Sequence, residues 1–196
     1  MITNKQKRKE QIKFFKNKIK NIPHDQILSI DETSIDTHID NKYGWGLKGK
    51  RIVINKKENR KRYTVICMID DNKVIHLKII ENSANGENFI DFIKEGILKL
   101  GNNKKYYLLL DNARIHHYRV FKDFISSCPN LECIYNVPYS PEYNPIEHIF
   151  NEAKNFLKNK SICNKTIKKN IIDSFNKVKS KNIKNYYKKS LNFTKV

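Results

Sequence analysis

The run YYLLLD, residues 106–111, is a fully apolar stretch that stops at an aspartate. Its length and composition predict a buried β-strand with Asp111 at its carboxyl end. The segment ILSID, residues 27–31, repeats the arrangement, because a short apolar run again ends in a carboxylate, that of Asp31. Whether the two carboxylates lie close together therefore depends on how these two strands are arranged in the sheet.

Strand-like and helix-like patterns alternate on both sides of this run. The apolar residues of 85–100 recur at intervals of three and four, which is typical of an amphipathic helix, whereas 62–70 and 73–80 are β-rich and flank the turn-forming residues Asp70 to Asn72. Strands are predicted at 27–31, 62–70, 73–80, 106–111 and 131–137, and helices at 1–24, 85–100, 119–126, 146–159, 166–179 and 181–191.

Three finer details are also predicted from local pattern. The amino-terminal helix is basic and amphipathic, with Phe14, Phe15 and Ile19 as anchors and Pro23 as its stop. The helix at 119–126 carries Val120, Phe121, Phe124 and Ile125 on one side. The segment YGWGLKGKRIVI, residues 43–54, places glycines around Trp45 before a β-rich run and predicts a bent hairpin.

This element order predicts an α/β fold with an antiparallel start and a parallel finish. The first three strands form a meander, and the helix after the third returns the chain so that strand four pairs in parallel. We expect a five-stranded mixed sheet of order 3-2-1-4-5, flanked by helices and followed by a helical carboxyl-terminal extension. If strand four lies beside strand one, Asp31 and Asp111 are neighbours at one end of the sheet, where α/β folds place their ligands.

The segment VPYSPEYNPIEHIF, residues 137–150, contains three of the five prolines and supplies a third carboxylate. Because proline is favoured in the first turn of a helix, Pro145 is expected to start one and to place Glu147 in that turn. Each acid alone has an ordinary structural explanation. An aspartate at a strand end often forms a turn or caps a helix, and a glutamate in the first turn of a helix is favoured by the helix dipole.

Together the three carboxylates suit a divalent metal site. Adjacent carboxylates raise each other's pKa unless a cation lies between them, and hard oxygen ligands bind Mg²⁺ or Mn²⁺. Two such ions stabilise the attacking and the leaving oxygens of a phosphodiester.

The charge of the chain indicates a polyanionic partner. The sequence has 39 Lys and Arg against 20 Asp and Glu, a formal charge of +19, which attracts nucleic acid and favours binding through counterion release. A gene rich in A and T is an alternative source of part of the lysine. No stretch is apolar enough for a membrane span or a secretory signal, so we expect an intracellular protein. The four cysteines lack zinc-type spacing and are expected to be packing residues.

The blocks SIDET, YGWGLKGKR, LLLDNARIHH and VPYSPEYNPIEHIF resemble the DDE superfamily of transposases, and more closely its mariner-like group and related bacterial insertion-sequence transposases. The match runs from about Ile27 to Lys160. The resemblance implies a ribonuclease H-like fold and metal-dependent DNA cleavage and strand transfer in DNA transposition. It also implies that Asp31, Asp111 and Glu147 are the catalytic triad and hold two Mg²⁺ ions, with Mn²⁺ as a substitute. Phe150 stands where the family usually has Trp.

Further candidates surround the triad in this interpretation. Residues expected near the metals or the DNA are Glu32, Asn112, Asn144, His148 and Trp45, and those expected on the DNA backbone are Lys48, Lys50, Arg51 and Arg114. His116, His117 and His148 are expected to be solvated or hydrogen-bonded rather than metal ligands.

We expect three regions: a basic helical lead-in (1–24), a catalytic domain (25–160) and a basic helical tail (161–196). The lead-in is too short for the helix-turn-helix module that the family carries. The chain is therefore interpreted as the catalytic half of a split element with an upstream helix-turn-helix polypeptide, as a truncated copy, or as a divergent protein that has lost transposition.

The expected partner is double-stranded DNA, as transposon ends and target, with a homodimer in the active complex. The expected location is DNA-associated, in the bacterial cytoplasm or nucleoid, or in the nucleus for a eukaryotic or viral host. The first alternative function is a catalytically inactive or repurposed transposase-derived DNA-binding protein. The second is a ribonuclease or an integrase on the same fold.

Overall fold

A five-stranded sheet forms the centre of the computed structural model, which describes residues 4–38, 45–53, 60–100, 104–113, 116, 118–158, 160 and 165–192. The strand order is β3-β2-β1-β4-β5, so the predicted order 3-2-1-4-5 is confirmed. The strands are β1 (Ile27–Asp36), β2 (Arg62–Ile69), β3 (Val74–Glu81), β4 (Tyr106–Leu110) and β5 (Leu131–Tyr135).

The sheet is antiparallel at one edge and parallel at the other. β1 pairs antiparallel with β2, and β2 pairs antiparallel with β3. The turn between β2 and β3 is held by Asp70, whose Oδ1 accepts the backbone N–H groups of Asn72 at 2.8 Å and Lys73 at 2.6 Å. β4 pairs in parallel with both β1 and β5, as the helical crossovers require.

Helices cover both faces of this sheet. The first turn of the second helix is closed by a capping box, in which the side chains of Asn85 and Asn88 each accept the other residue's backbone N–H. No helix within the described residues is long and apolar enough to cross a membrane. The helices are α1 (Asn4–Ile19), α2 (Gly86–Ile97), α3 (Arg119–Ser126), α4 (Ile146–Lys158), α5 (Ile167–Asn176) and α6 (Ser180–Leu191).

Two hydrophobic cores lie on opposite faces of the sheet. One contains buried side chains of α1, α4, α5 and α6, and the other those of α2 and α3. Because side chains alternate along a strand, Ile27 of β1 faces the first core and Leu28 faces the second. The same alternation places Asp31 on the α4 side and Glu32 on the α2 side.

Two of the predicted apolar contacts are wrong, although the helices that carry them are present. Phe15 and Ile19 of α1 are buried as predicted, but Phe14 is 73% exposed because adjacent helix residues point about 100° apart. In α3, Phe121 is buried whereas Val120 is exposed. Phe150 of α4 is buried against Phe175 of α5, with an interplanar angle of 76°, so the aromatic packing role is confirmed.

The predicted hairpin at 43–54 is not present in the part of this segment that the structure describes. Residues 45–53 form no strand and contain a turn at 48–49, where Gly49 has a φ of 81°. None of these residues is buried, so no core contact supports a strand here. Of the cysteines, Cys67 is buried and Cys128 and Cys133 are partly buried, all three as free thiols, and Cys163 lies outside the described residues.

Candidate active site

The parallel pairing of β1 and β4 brings two aspartates side by side. Ser29 is opposite Leu109 in this pair, and extending the same register by two residues places Asp31 beside Asp111. Ser29 and Leu109 both lie on the α4 side of the sheet, as the buried contacts of each show. The two aspartates, two positions further along, therefore emerge on that same side.

The proline-rich segment positions the third carboxylate. After β5 the chain passes through a 3₁₀ turn (Pro141–Tyr143), and α4 begins directly after Pro145. Glu147 lies in the first turn of α4. Its side chain lines a cleft of about 550 Å³ together with Asp31 and Asp111, so the structure brings the three predicted acids together.

The electrostatics of the cleft disfavour three bare carboxylates. The pKa of Asp31 is raised to about 8, mainly by burial and next by the charge of Asp111, which outweighs the lowering by the hydrogen bond from the Glu32 backbone. The pKa of Glu147, at the more open side of the cleft, is also raised. Desolvation is the main cause, Lys154 opposes it and Asp111 adds to it. Cations in this cleft would relieve the repulsion.

Asp31 is held by a short buried hydrogen-bond chain. Its Oδ2 accepts from Asn144 Nδ2 at 2.9 Å, and its Oδ1 accepts the backbone N–H of Glu32 at 2.8 Å. Asn144 Oδ1 in turn accepts from Ser29 Oγ at 2.5 Å. Asn144, predicted near the metals or the DNA, thus contacts the first aspartate and ties the proline-rich segment to β1.

A buried histidine links the second aspartate to Glu32. His116 is fully buried; its Nδ1 lies 2.8 Å from Asp111 Oδ1, and its Nε2 lies 3.4 Å from Glu32 Oε1. Burial disfavours the imidazolium, but hydrogen bonds to Asp111 and Glu32 outweigh it and raise the pKa of His116 to about 10. The ring also packs on Phe89, 4.5 Å between centroids. His116 is therefore a cation that bridges two carboxylates.

Sequence reasoning predicted a hydrogen-bonded or solvated His116 but missed this bridge. The only local signal is its position five residues after Asp111, just beyond the end of β4. Its second partner, Glu32, is far away in sequence and lies on the other strand. Spacing alone does not indicate that contact.

Asn112 joins the ends of the two parallel strands. It lines the cleft, and its Nδ2 donates to the backbone carbonyl of Asn136, directly after β5. The backbone N–H of Asn136 donates to Leu110 O at 2.8 Å. These contacts hold the loop after β5 against the end of β4.

The remaining predicted residues that the structure describes lie outside this cleft. His148 stacks on Tyr186 of α6, with 4.9 Å between ring centroids, and lines a neighbouring groove. Trp45 is fully exposed. The basic residues Lys48, Lys50 and Arg51 are exposed in the irregular segment 45–53, and Arg114 lies outside the described residues.

The donor set of the cleft suits a hard divalent cation, because its charged ligands are carboxylate oxygens. Within the described ranges, however, no three His, Cys, Asp or Glu side chains lie close enough to form a complete metal cluster. Asp111 is instead paired with His116, and Asp31 is bonded to Asn144.

Comparison with solved structures shows a shared fold. A Mos1 mariner paired-end complex with Mn has a TM-score of 0.79 at 18% identity, covering 97% of this chain and 60% of that chain. A Mos1 paired-end complex with the left transposon end has a TM-score of 0.78 at 17% identity, again covering 97% of this chain and 60% of that chain. The chain thus spans about 60% of the length of the chains in these complexes.

The isolated catalytic domain of Mos1 mariner transposase gives a TM-score of 0.74 at 17% identity, with 97% of this chain and 90% of that chain covered. The expected ribonuclease H-like fold is therefore confirmed. Other Mos1 catalytic-domain structures are described with Mg or Mn. A comparison with curated protein sequences gives no match.

The sequence itself decides the family. Residues 26–168, most of the chain, match the profile described as DDE superfamily endonuclease. This range contains all of β1 to β5, α2, α3 and α4, and with them the three carboxylates of the cleft. The chain belongs to the DDE superfamily endonuclease family.

Proposed function

We propose that this chain is the catalytic domain of a DDE transposase, which cleaves DNA and transfers strands with divalent metal ions. The observation that carries the proposal is the single cleft lined by Asp31, Asp111 and Glu147 in a chain of this family. The similarity to Mos1 structures in complex with transposon ends supports DNA as the substrate.

Asp31, Asp111 and Glu147 would hold two Mg²⁺ ions, for which Mn²⁺ would substitute. When bound, the ions supply an activated water or 3′-hydroxyl and stabilise the leaving oxygen of the phosphodiester. Asn144 orients Asp31, because it donates to Asp31 Oδ2 while its own Oδ1 accepts from buried Ser29. His116 orients Asp111 in the same way through its Nδ1.

DNA binding is proposed to rest mainly on phosphate contacts. The formal charge of +19 attracts the backbone without reading sequence. The exposed side chains of Lys48, Lys50 and Arg51 are available for such contacts, and Arg114 is assigned with them from its place in the motif after Asp111.

The oligomeric state, the partners and the location belong to the same proposal. The active complex is a homodimer on double-stranded transposon ends and target, with a helix-turn-helix polypeptide contributing sequence recognition. The location is intracellular and DNA-associated, in the bacterial cytoplasm or nucleoid, or in the nucleus of a eukaryotic or viral host. The regions 1–24, 25–160 and 161–196 are proposed as lead-in, catalytic domain and tail.

Nicking of supercoiled plasmid tests the activity. We expect cleavage with Mg²⁺ or Mn²⁺, none in EDTA, and a loss of at least about 100-fold for Asp31→Ala, Asp111→Ala and Glu147→Ala, because the bound metals contribute several kcal/mol of charge stabilisation. Asp91→Ala, which removes an exposed carboxylate from α2, is the matched control and should cleave normally.

DNA binding in EDTA separates this proposal from the DNA-binding alternative. Removing a carboxylate of the cleft also removes negative charge near the phosphates, so the three alanine variants should bind DNA as tightly as the wild type or more tightly. A wild-type protein that binds DNA but never cleaves it would support the repurposed DNA-binding protein. Alanine variants that cleave at the wild-type rate would show that the activity belongs to other residues.

A further inference from the structure

Tyr139, on the loop between β5 and α4, combines two unusual properties. Its side chain is 94% exposed, and its backbone φ is 55°, in the left-handed region. A single exposed aromatic residue is ordinary on a protein surface. A left-handed backbone is unfavourable for a residue with a Cβ atom and persists only where the surrounding structure enforces it.

The surrounding contacts do enforce it. The guanidinium of Arg8, on α1, donates to Tyr139 O at 3.3 Å and to Ser140 Oγ at 3.2 Å. Asn136 Nδ2 donates to Ser140 O at 2.9 Å, and Ser140 itself is buried. The main chain on the carboxyl side of Tyr139 is thus fixed from two directions, while the ring projects into solvent.

The ring also stands at the mouth of the acidic cleft. Tyr139 lines that cleft together with Asp31, Asp111 and Glu147, and Asn112 of the same cleft is bonded to Asn136 of the Tyr139 loop. An exposed aromatic side chain on a constrained backbone next to the reacting groups suits a flat partner. In DNA that partner is a base that has left the duplex stack, because every base has a π-face.

We propose that Tyr139 stacks on an unpaired base next to the phosphodiester held in the cleft. The proposal rests on the proposed function, since it takes DNA as the substrate. The constrained backbone fixes the point from which the side chain extends before DNA binds, so less backbone entropy is lost on stacking. Stacking on the ring selects DNA whose strands are open at the reaction site, without reading a particular sequence.

The test compares a blunt duplex with the same duplex carrying a short single-stranded end labelled with 2-aminopurine, both in EDTA. The wild type should bind the open-ended DNA more tightly than the blunt one and quench the 2-aminopurine. Tyr139→Asn should weaken binding to the open-ended DNA by at least about fivefold and lose the quenching, because one base stack is removed. Its binding to the blunt duplex should stay unchanged.

Three variants make the result specific. Asparagine tolerates a left-handed backbone, so Tyr139→Asn should unfold at a temperature equal to or above that of the wild type. Tyr139→Phe retains the ring and should behave as the wild type. Phe14→Asn removes another exposed aromatic side chain, on α1 and outside the cleft lining, and should also behave as the wild type.

A Tyr139→Asn protein that keeps both the quenching and the preference for open-ended DNA overturns the stacking assignment, while wild-type nicking leaves the proposed function intact. A wild-type protein that binds neither DNA overturns both proposals.

Discussion

Replacing Tyr187 by phenylalanine tests how the carboxyl-terminal helix is joined to the sheet. Tyr187 of α6 is fully buried. Its hydroxyl lies 3.0 Å from the carbonyl oxygens of Ile27 and Ile69 and accepts the backbone N–H of Ser29 at 3.3 Å. The antiparallel pairing of β1 and β2 ends at the Ser29–Ile69 pair. The phenol therefore satisfies backbone groups at the point where the ladder stops.

The magnitude follows from those contacts. Phenylalanine keeps the ring and its packing, so the loss is confined to the hydroxyl. A buried N–H and two carbonyls would then lack this partner, and leaving buried polar groups unsatisfied costs about 1–3 kcal/mol. Burial raises the pKa of Tyr187 well above its usual value, so the phenol stays neutral and the effect should not vary near neutral pH. We expect a loss of about 2 kcal/mol in the free energy of unfolding, or about 4–8 °C in Tm for a domain of this size.

The neighbouring residue provides the control. Tyr186 is only partly buried, and its hydroxyl donates to Glu152 Oε2 at 2.7 Å. In Tyr186→Phe, Glu152 keeps its contacts with Asn182 Nδ2 at 3.0 and 3.2 Å and water reaches the site, so the cost should stay below about 1 kcal/mol. The assay is urea denaturation with the slope checked for equality among variants. A Tyr187→Phe protein no less stable than Tyr186→Phe would refute the reasoning.

Three further outcomes are expected. His76 accepts at Nδ1 from Lys99 at 2.7 Å and donates from Nε2 to Glu95 at 2.9 Å, and burial lowers its pKa despite Glu95. The contribution of His76 to stability should therefore fall as pH drops below about 6.5, where the unfolded histidine takes up a proton, and the Tm of His76→Gln relative to that of the wild type should rise between about pH 7 and pH 5. Mg²⁺ or Mn²⁺ should raise the Tm of the wild type but not of Asp31→Asn, because only a protein with the ligand gains the binding free energy. Affinities for unrelated duplexes should fall together with salt, each neutralised phosphate contributing a slope of about −0.9 in log K against log salt. A Tm difference between His76→Gln and the wild type that does not change with pH, an equal metal response in Asp31→Asn, or salt-independent binding would each contradict its prediction.

Local residue patterns were enough to predict the elements and their order. The apolar spacing at 85–100 and 119–126 predicted α2 and α3, and the apolar runs predicted the strands, because helix and strand periodicities are local properties of the chain. Connection rules then led from element order to sheet order, and the register of β1 and β4 places Asp31 beside Asp111 as expected. Pro145 predicted the start of α4 and the position of Glu147, because its ring restricts the backbone locally.

The contacts between these elements, in contrast, are seen only in the folded structure. The choice of Phe15 over Phe14 as a buried anchor depends on how α1 is rotated against the sheet. His116 links Asp111 to Glu32, which lies far away in the chain. The Tyr187 hydroxyl likewise contacts the distant carbonyl oxygens of Ile27 and Ile69. Such contacts depend on the relative positions of packed elements, which residue spacing does not specify. The left-handed backbone of Tyr139 likewise depends on Arg8, which α1 supplies from the other end of the sequence.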